Sequence, residues 1–183
     1  MRGTQIINPL QIIIQQREKP KTEERNLRLP ENKFILKTLP RLNFSKFNFR
    51  FKKSSSGEPL IFDSIRKKWL VLTPEEWVRQ NIIQELVKSK GYPTSMFKIE
   101  TGLSVNQNTK RSDVVVYKNS IPFVLIECKA PTVHITEKVF EQASNYNLTL
   151  HCPHIILSNG IQHVSFHIQG EVVVPNDDFP SYF

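Results

Sequence analysis

The chain contains 183 residues with a net charge of +8, and 39% of its residues are hydrophobic. This size and composition suit one globular domain with an appendage. Its apolar runs are too short to cross a membrane, and its two cysteines, Cys128 and Cys152, are too few for a disulfide framework. These features exclude membrane-spanning and disulfide-rich proteins and favour a reduced, cytoplasmic compartment.

The net excess of positive charge is confined to the first third of the chain. Residues 1–60 hold 13 Lys and Arg against 5 acidic residues, whereas residues 61–183 hold 12 of each. Residues 1–42 scatter proline and charge without a sustained period, so we expect a basic, mostly extended or disordered arm that attracts phosphate without specificity. We assign residues 43–170 to a folded domain and residues 171–183 to a last strand and a polar tail.

The folded part begins with an alternating segment, FSKFNFRFKK, in which Phe47, Phe49 and Phe51 are separated by polar or basic residues. Strict alternation predicts a strand with one buried face. Aromatic rings between basic residues can also stack on nucleic-acid bases, which is the less favoured interpretation of this segment.

A helix is predicted next. Thr73 is a good N-cap, Pro74 suits the first helical position, and Glu76 completes a capping box. The apolar residues that follow keep the helical period until Gly91 ends the helix. Glu75 and Glu76 either fill the first turn, where the helix dipole favours acids, or point into a site, and their spacing leaves both possibilities open.

The remaining segments indicate strands and one further helix. A strand in FKIETGLSVN precedes a basic loop, QNTKR, and a hairpin. A helix in TEKVFEQASNYNLTL follows, with Thr136 as its N-cap, and HIILSNG, QHVSFHI and EVVV indicate short strands. This order predicts an α/β or α+β fold with a central mixed sheet and helices on its faces.

The hairpin at residues 111–129, RSDVVVYKNSIPFVLIECK, carries charge at its open end. Two apolar, β-branched runs, VVVY and FVLI, are joined by the turn-forming segment KNSIP. Asp113 starts the first strand, and Glu127 and Lys129 end the second. Since the start of one antiparallel strand lies beside the end of its partner, we expect these three side chains to meet, with Arg111 opposite Lys129.

The register of the hairpin decides whether these charges share a face. A turn over residues 119–121 pairs Lys118 with Pro122, and this register sets Asp113 opposite Glu127. A slip of one residue would send the aspartate to the other face of the sheet, so the register is a specific prediction.

Two adjacent carboxylates repel each other unless a cation lies between them. Mg²⁺ suits such a pair because it takes oxygen ligands, keeps several waters and binds through one or two carboxylates. Lys129 could then orient or deprotonate an attacking water, or stabilise a pentavalent phosphate. The competing interpretation is that these charges are the solvated ends of an amphipathic hairpin.

Five segments in order resemble a known family: IFDSIRKKWLVLTPEEWVRQ, RSDVVVY, LIECKAP, EQASNYN and ILSNG. From about Asn43 to Gln169, the chain resembles the N-terminal nuclease domain of type I restriction enzyme R subunits, in a stand-alone form; that domain belongs to the PD-(D/E)XK nuclease superfamily. The resemblance implies a restriction-endonuclease-like αβββαβ core with a central mixed sheet flanked by helices. It also implies a Mg²⁺-dependent endonuclease that hydrolyses DNA phosphodiester bonds, with restriction-modification subunits as partners.

The resemblance assigns roles to single residues. Asp113 and Glu127 match the metal ligands of the superfamily motif, and Lys129 matches its lysine. The acid that the superfamily carries on its first helix falls on Glu75 or Glu76. These five residues are therefore the expected catalytic residues.

Substrate binding is assigned in the same way. Gln142 and Tyr146 match a Q-x-x-x-Y signature that lies beside the active site in these nucleases and positions DNA. Arg111, at the basic approach to the hairpin, is a further candidate for binding substrate. Ser112 occupies the place of the proline in the motif, a variation that the superfamily tolerates.

The chain also departs from full R subunits. These continue into an ATP-driven DNA motor, whereas no nucleotide-binding motif occurs in this sequence. We therefore expect neither a nucleoside triphosphate nor a membrane as a partner. The alternative function is a catalytically silent DNA-binding or defence-associated adaptor module of the same fold.

Overall fold

The computed structural model of the chain describes residues 39–105 and 108–183, apart from the side chains of residues 100–112. It contains a three-stranded antiparallel sheet and a six-stranded sheet, with two α-helices. The small sheet and the first helix comprise β1 (Phe51–Lys53), β2 (Pro59–Asp63), β3 (Lys68–Val71) and α1 (Pro74–Ser89). A 3-10 turn follows at Thr94–Met96. The large sheet and the second helix comprise β4 (Phe97–Val105), β5 (Asn108–Lys118), β6 (Ile121–Cys128), α2 (Glu137–Leu150), β7 (His154–Ser158), β8 (His163–Gln169) and β9 (Val172–Asn176).

The strands of the large sheet stand in chain order from β4 to β9. All neighbours in this sheet are antiparallel except β6 and β7, which are parallel. Helix α2 forms the crossover that a parallel pair requires. The run α1, β4, β5, β6, α2, β7 follows the predicted αβββαβ order, so the predicted fold class is confirmed.

Helix α1 begins where its capping residues predict. The Thr73 hydroxyl accepts a hydrogen bond from the Glu76 N–H at 3.0 Å, and Pro74 occupies the first turn. At the other end, Gly91 adopts a φ of 77°, and the Tyr92 N–H donates to a carbonyl of the last turns. A left-handed glycine after the last turn is a common way to end a helix.

Helix α1 is buried on two sides because it lies between the sheets. Val78, Ile82 and Ile83 pack on the large sheet, and Trp77 packs on the small sheet against the Phe49 ring. Each fully buried aliphatic side chain contributes about 1.5–3 kcal/mol. The helix is therefore a rigid support for the acids in its first turn.

Successive side chains of β5 and β6 point in alternate directions, toward α1 and toward α2. Val114 and Ile126 lie in the hydrophobic cluster that contains α1, whereas Val115 and Leu125 lie in the cluster that contains α2. Strands that are buried on both faces have continuous apolar sequences. The uninterrupted VVV and FVLI runs follow from this position in the middle of the molecule.

The turn of the β5–β6 hairpin differs from the prediction. It consists of Asn119 and Ser120 alone, with φ values of 52° and 64°, and it pairs Lys118 with Ile121 instead of Pro122. Two-residue turns with positive φ match the twist of the strands they join, and asparagine tolerates that conformation. Such a turn by itself would shift the hairpin by one residue.

A β-bulge cancels that shift. Tyr117 pairs with Pro122, but the next pair is Val116 with Val124, so Phe123 is an extra residue on β6. Phe123 and Val124 both pack in the cluster that contains α1, although consecutive residues of a regular strand face opposite sides.

Beyond the bulge the predicted register is confirmed. Val114 pairs with Ile126, and the pairing of β5 with β6 ends there. Extending this register by one residue sets Asp113 beside Glu127, as the sequence predicted.

The predicted pairing of Arg111 with Lys129 is wrong. The backbone of Arg111 pairs with Gly102 of β4. Lys129 lies past the end of β6, and its N–H donates to the Ser158 carbonyl of β7 at 2.8 Å. The two strands of the hairpin are no longer paired at this point, because the pairing of β5 with β6 ends at Val114 and Ile126.

Two other segments have bounds that differ from the prediction. Regular pairing in FSKFNFRFKK begins only at Phe51, but the Phe49 and Phe51 rings do pack on Trp77, with centroids 4.8 and 6.1 Å away. The predicted loop QNTKR is wrong from Asn108 onward, because β5 begins there and pairs with β4. The alternating segment is therefore a packed one, as the favoured interpretation held.

At the N-terminal side, the first 38 residues of the predicted arm lie outside the described residues. Residues 39–42 pack on the domain, where the Pro40 carbonyl accepts a hydrogen bond from Trp77 Nε1 at 3.2 Å. At the other end, β9 pairs with β8, and Phe179 and Tyr182 pack in the cluster that contains α1. No helix within the described residues is long and apolar enough to cross a membrane.

Candidate active site

Asp113 lies where β5 parts from β6. Its Oδ2 accepts a hydrogen bond from the Cys128 N–H at 2.6 Å, and its Oδ1 accepts one from Arg79 Nη2 at 2.7 Å. The Cys128 N–H bonds to this side chain because the backbone pairing of the two strands has already ended. The carboxylate is thus held by β6 on one side and by α1 on the other.

Glu127 is the more buried acid of the pair. Its side chain is 9% exposed, and its Oε1 accepts a hydrogen bond from Lys129 Nζ at 2.7 Å. Gln142 Nε2, on α2, lies 3.4 Å from the same oxygen. Burial raises the pKa of the Glu127 carboxyl, and the charge of Asp113 raises it further, against the opposing effect of Lys129.

Lys129 is a charged donor in this arrangement. Burial by itself lowers the pKa of its ammonium, but the hydrogen bond and charge of Glu127 outweigh burial, so the pKa is raised above its ordinary value. The ammonium therefore stays protonated at neutral pH and can orient a water or stabilise negative charge.

Arg79 is a site residue that the sequence analysis missed. Its guanidinium joins three carboxylates: it contacts Glu75 at 3.2 Å and Asp113 at 2.7 Å, and it also pairs with Glu76. Burial lowers the pKa of this guanidinium, but the charges of Asp113 and Glu76 outweigh burial and raise it. A sequence feature could have identified the residue, since Glu75 and Arg79 stand four apart on one helix, where opposite charges meet.

Glu76 faces away from the predicted metal ligands. Its carboxylate accepts hydrogen bonds from Gln80 Nε2 at 2.8 Å and from Arg66 Nη2 at 3.1 Å, in addition to its pair with Arg79. Arg66 in turn pairs with Asp63, which is fully buried at the end of β2. Glu76 therefore belongs to an ion-pair network between α1 and the small sheet.

Glu75 faces the site. Its side chain is 45% exposed, and burial of the remainder raises the pKa of its carboxyl, as does the charge of Asp113. The charge of Lys129 acts on Glu75 in the opposite direction. Of the two first-helix acids that spacing left open, the structure brings Glu75 to Asp113 and Lys129.

The predicted substrate-binding residues have different surroundings. Gln142 reaches the Glu127 carboxylate. Tyr146 is 6% exposed and lies in the cluster between α2 and the large sheet, and its role in binding substrate stays a prediction. The side chain of Arg111 lies outside the described residues, and its role stays a prediction.

The carboxylates of Asp113 and Glu127 suit a magnesium ion. They stand side by side where the pairing of β5 with β6 ends, and burial together with the Asp113 charge disfavours ionisation of Glu127, which a divalent cation would relieve. A carboxylate has about four lone-pair positions, so Asp113 retains capacity beyond its two hydrogen bonds. Among the described residues, no three or more His, Cys, Asp or Glu are grouped to hold one ion; water and a carbonyl such as that of Cys128 would complete the shell.

Comparisons with known proteins point to one family. A family model described as the type I restriction enzyme R protein N terminus matches residues 74–180, which is more than half of the chain. A solved structure described as a fragment of an HsdR subunit of a type I restriction enzyme, from Vibrio vulnificus YJ016, is similar to the chain at 17% sequence identity and a TM-score of 0.49. That similarity covers 61% of this chain, which spans only 24% of the other one. No curated protein is significantly similar to the chain.

Proposed function

The chain belongs to the family of type I restriction enzyme R protein N termini, and from this premise we propose that it is a Mg²⁺-dependent DNA endonuclease. The observation that carries the proposal is the convergence of acids at one end of the sheet. Arg79 contacts both Glu75 and Asp113, and Lys129 bonds to Glu127. Burial raises the pKa of Glu75 and of Glu127, and the charge of Asp113 raises both further. This is the mixture of oxygen donors and one cation that hydrolysis of a phosphodiester requires.

Each side chain has a task in this proposal. Asp113 and Glu127 would hold the metal ion, with Glu75 and the Cys128 carbonyl as further oxygen donors. When bound, the ion lowers the pKa of a coordinated water and offsets the charge of the phosphate. Lys129 orients that water or stabilises the pentavalent phosphate. A water oxygen would attack phosphorus as the bond to the 3′ oxygen breaks, and a proton from that water would pass to the 3′ oxygen, which would leave a 3′ hydroxyl and a 5′ phosphate.

Two further residues position these groups. Gln142 donates toward Glu127, and Arg79 holds one oxygen of Asp113. Neither needs to touch the phosphate to matter, because second partners of a metal ligand fix its orientation and commonly change activity by about 10–100-fold.

The family relationship motivates the rest of the proposal. Restriction-modification subunits are the proposed protein partners, and the cytoplasm is the proposed location. Hydrolysis of this kind needs no nucleoside triphosphate at the site. The motor activity of a full R subunit is not part of the proposal.

A second candidate function is a DNA-binding or adaptor module that does not cut. It is favoured by the ion pairs of the site, since Arg79 neutralises Asp113 and Lys129 neutralises Glu127 without any metal. Both cations would have to share their carboxylates with Mg²⁺ in the nuclease.

Removal of the metal should abolish cleavage by the wild-type chain. We expect nicking of supercoiled plasmid in Mg²⁺, none in EDTA, and full recovery when excess Mg²⁺ is restored, because Lys129 is protonated at neutral pH and the metal would supply the activation of water. Gel assays on supercoiled, linear and single-stranded DNA would measure this. A wild-type chain that cut none of these forms in Mg²⁺, alone or with restriction-modification subunits, would favour the silent module.

Glu75 and Glu76 should have separable effects. We expect Glu75→Gln to lower the cleavage rate by about 10–100-fold with little change in thermal stability, because glutamine keeps an oxygen donor for the ion but loses the negative charge. Glu76→Gln should lower the free energy of unfolding by about 1–3 kcal/mol, because buried donors of Arg66 and Arg79 lose a charged acceptor. Cleavage kinetics and urea unfolding on the same two variants would measure the difference, and a reversal of the two effects would contradict the assignment.

A further inference from the structure

The small sheet exposes a face that the proposed cleavage site does not use. Cross-strand pairing sets Lys52, Leu60 and Val71 in one row and Arg50, Phe62 and Trp69 in the next. The opposite row, Phe51, Ile61 and Leu70, points inward and packs on α1 through Trp77. We call the side with Arg50, Lys52, Phe62, Trp69 and Val71 the outer face.

The outer face holds its cations on aromatic rings instead of on acids. The Arg50 guanidinium lies 3.8 Å from the Phe62 ring centroid, and Lys52 Nζ lies 4.6 Å from that of Trp69. No carboxylate pairs with Arg50 or Lys52 in the part of the chain that the structure describes. A ring restrains a cation without neutralising it, so both charges remain available to an anion.

Charge in the described part is concentrated in this same region. Residues 39–72 contain eight Lys and Arg against two acidic residues, whereas residues 73–183 contain nine against eleven. One of the two acids in the first group, Asp63, is buried and paired with Arg66. The unit that carries the proposed cleavage site is therefore slightly negative, and the small sheet supplies the positive surface that it lacks.

The small sheet is fixed to the cleavage site by a continuous series of ion pairs. Asp63 and Arg66 of the β2–β3 turn pair with each other, Arg66 pairs with Glu76 of α1, and Glu76 shares Arg79 with Asp113. The outer face and the site thus belong to one packed body.

We propose that the outer face binds the sugar-phosphate backbone of DNA, with Arg50 and Lys52 as the phosphate contacts. DNA is chosen over an acidic protein surface because Arg and Lys without acidic partners are the groups that neutralise phosphates. The choice of DNA rests on the proposed function, but the binding itself does not depend on cleavage. Arg50 and Lys52 lie outside residues 74–180, the part that the family shares.

Binding of labelled duplex DNA to the full chain in EDTA tests this inference. Fluorescence anisotropy between about 50 and 200 mM salt gives the slope of log K against log salt. We expect Arg50→Gln with Lys52→Gln to reduce the magnitude of that slope by about 1.8, which is about 0.9 for each phosphate that the protein no longer neutralises. Arg50→Lys keeps the charge and should keep most of the slope.

The matched control removes two exposed lysines elsewhere. Lys88 lies on α1, and Lys98 Nζ lies over the Tyr117 ring at 4.5 Å, so Lys88→Gln with Lys98→Gln removes the same charge and one ring-held cation. We expect a slope close to that of the wild type. Equal reductions of the slope in both double variants would show diffuse attraction and overturn the proposal.

Two other results would also overturn it. One is an unchanged slope in the double variant of Arg50 and Lys52, and the other is a wild-type chain that does not bind DNA. Either result would favour an acidic protein as the partner of the outer face. Because EDTA prevents metal-dependent cleavage, a failure of the proposed nuclease activity leaves this measurement intact. Conversely, a chain that cuts DNA but shows no contribution from the outer face would contradict only the present inference.

Discussion

Asp113→Asn and Lys129→Gln are each expected to lower the rate of Mg²⁺-dependent DNA cleavage by at least about 10²–10³-fold, the cost of removing one charged group that acts on the transition state. Asparagine keeps the shape of the aspartate but removes one of the two negative charges that Asp113 and Glu127 bring to the site. The glutamine at 129 can still reach Glu127 but carries no charge to stabilise the phosphate. Single-turnover cleavage of plasmid DNA would measure both effects.

The controls for these variants are exposed residues of α2 with the same charges. Glu141 and Lys138 are exposed on that helix, and Glu141→Gln and Lys138→Gln should cleave at wild-type rates. Thermal melting should show that Asp113→Asn and Lys129→Gln remain folded. If both variants cut as fast as the wild type, the cleavage chemistry would have to lie elsewhere in the chain.

Replacing Arg79 with methionine is expected to cause the largest loss of stability. Its guanidinium is 6% exposed and compensates Glu75, Glu76 and Asp113 together. Removing one partner of a buried pair costs about 3–5 kcal/mol, because the other charges are left in a medium that solvates them poorly. Urea unfolding followed by circular dichroism would measure the difference in the free energy of unfolding.

Two comparisons identify the cause of that loss. Lys88→Met removes an exposed cation from the same helix, and such surface changes are usually within about 0.5 kcal/mol. Adding Glu76→Gln to Arg79→Met should restore part of the stability, because one of the uncompensated acids is then neutral. The loss in Arg79→Met should also shrink in acid, where the acids whose pKa values rise in the variant take up protons in the folded state. A loss independent of pH and unaltered by Glu76→Gln would point to packing alone.

The elements that the sequence predicted well are those with local determinants. Thr73, Pro74 and Glu76 lie within one turn, so the start of α1 depends on no distant contact. The apolar runs of β5 and β6 are buried on both faces, and their charged ends had to fall at the open end of the hairpin. The meeting of Asp113 with Glu127 followed from these facts.

Strands β2 and β3 of the small sheet were not predicted, for a reason that lies in Asp63. This residue stands on the inward face of β2, where alternation calls for an apolar side chain, and it accepts hydrogen bonds from the Ile65 and Arg66 N–H groups of the next turn. A charged residue at a core position interrupts the alternation of apolar and polar residues by which a strand is recognised. Only the partner, Arg66, makes its burial possible, and that pairing depends on the fold of the turn.

The surroundings of Arg79 and Tyr146 could not be predicted from the sequence for a different reason. Both lie on helices whose period was clear, but the neighbour that each side chain meets belongs to a different element. Arg79 contacts Asp113 of β5, and Tyr146 packs in the cluster between α2 and the large sheet. The spacing of residues on a helix shows which side chains share a face of that helix. It does not show whether that face lines a functional site or packs in the hydrophobic core.

The bulge at Phe123 makes the site depend on the length of a segment as well as on its charged residues. With the two-residue turn alone, Asp113 would stand opposite Ile126, and its side chain and that of Glu127 would lie on opposite faces of the sheet. Deletion of Phe123 should therefore separate the two acids, and one residue added to the turn should bring them together again. Between Lys118 and Val124, a single insertion or deletion should therefore separate the two acids, whereas a compensating pair should leave them together.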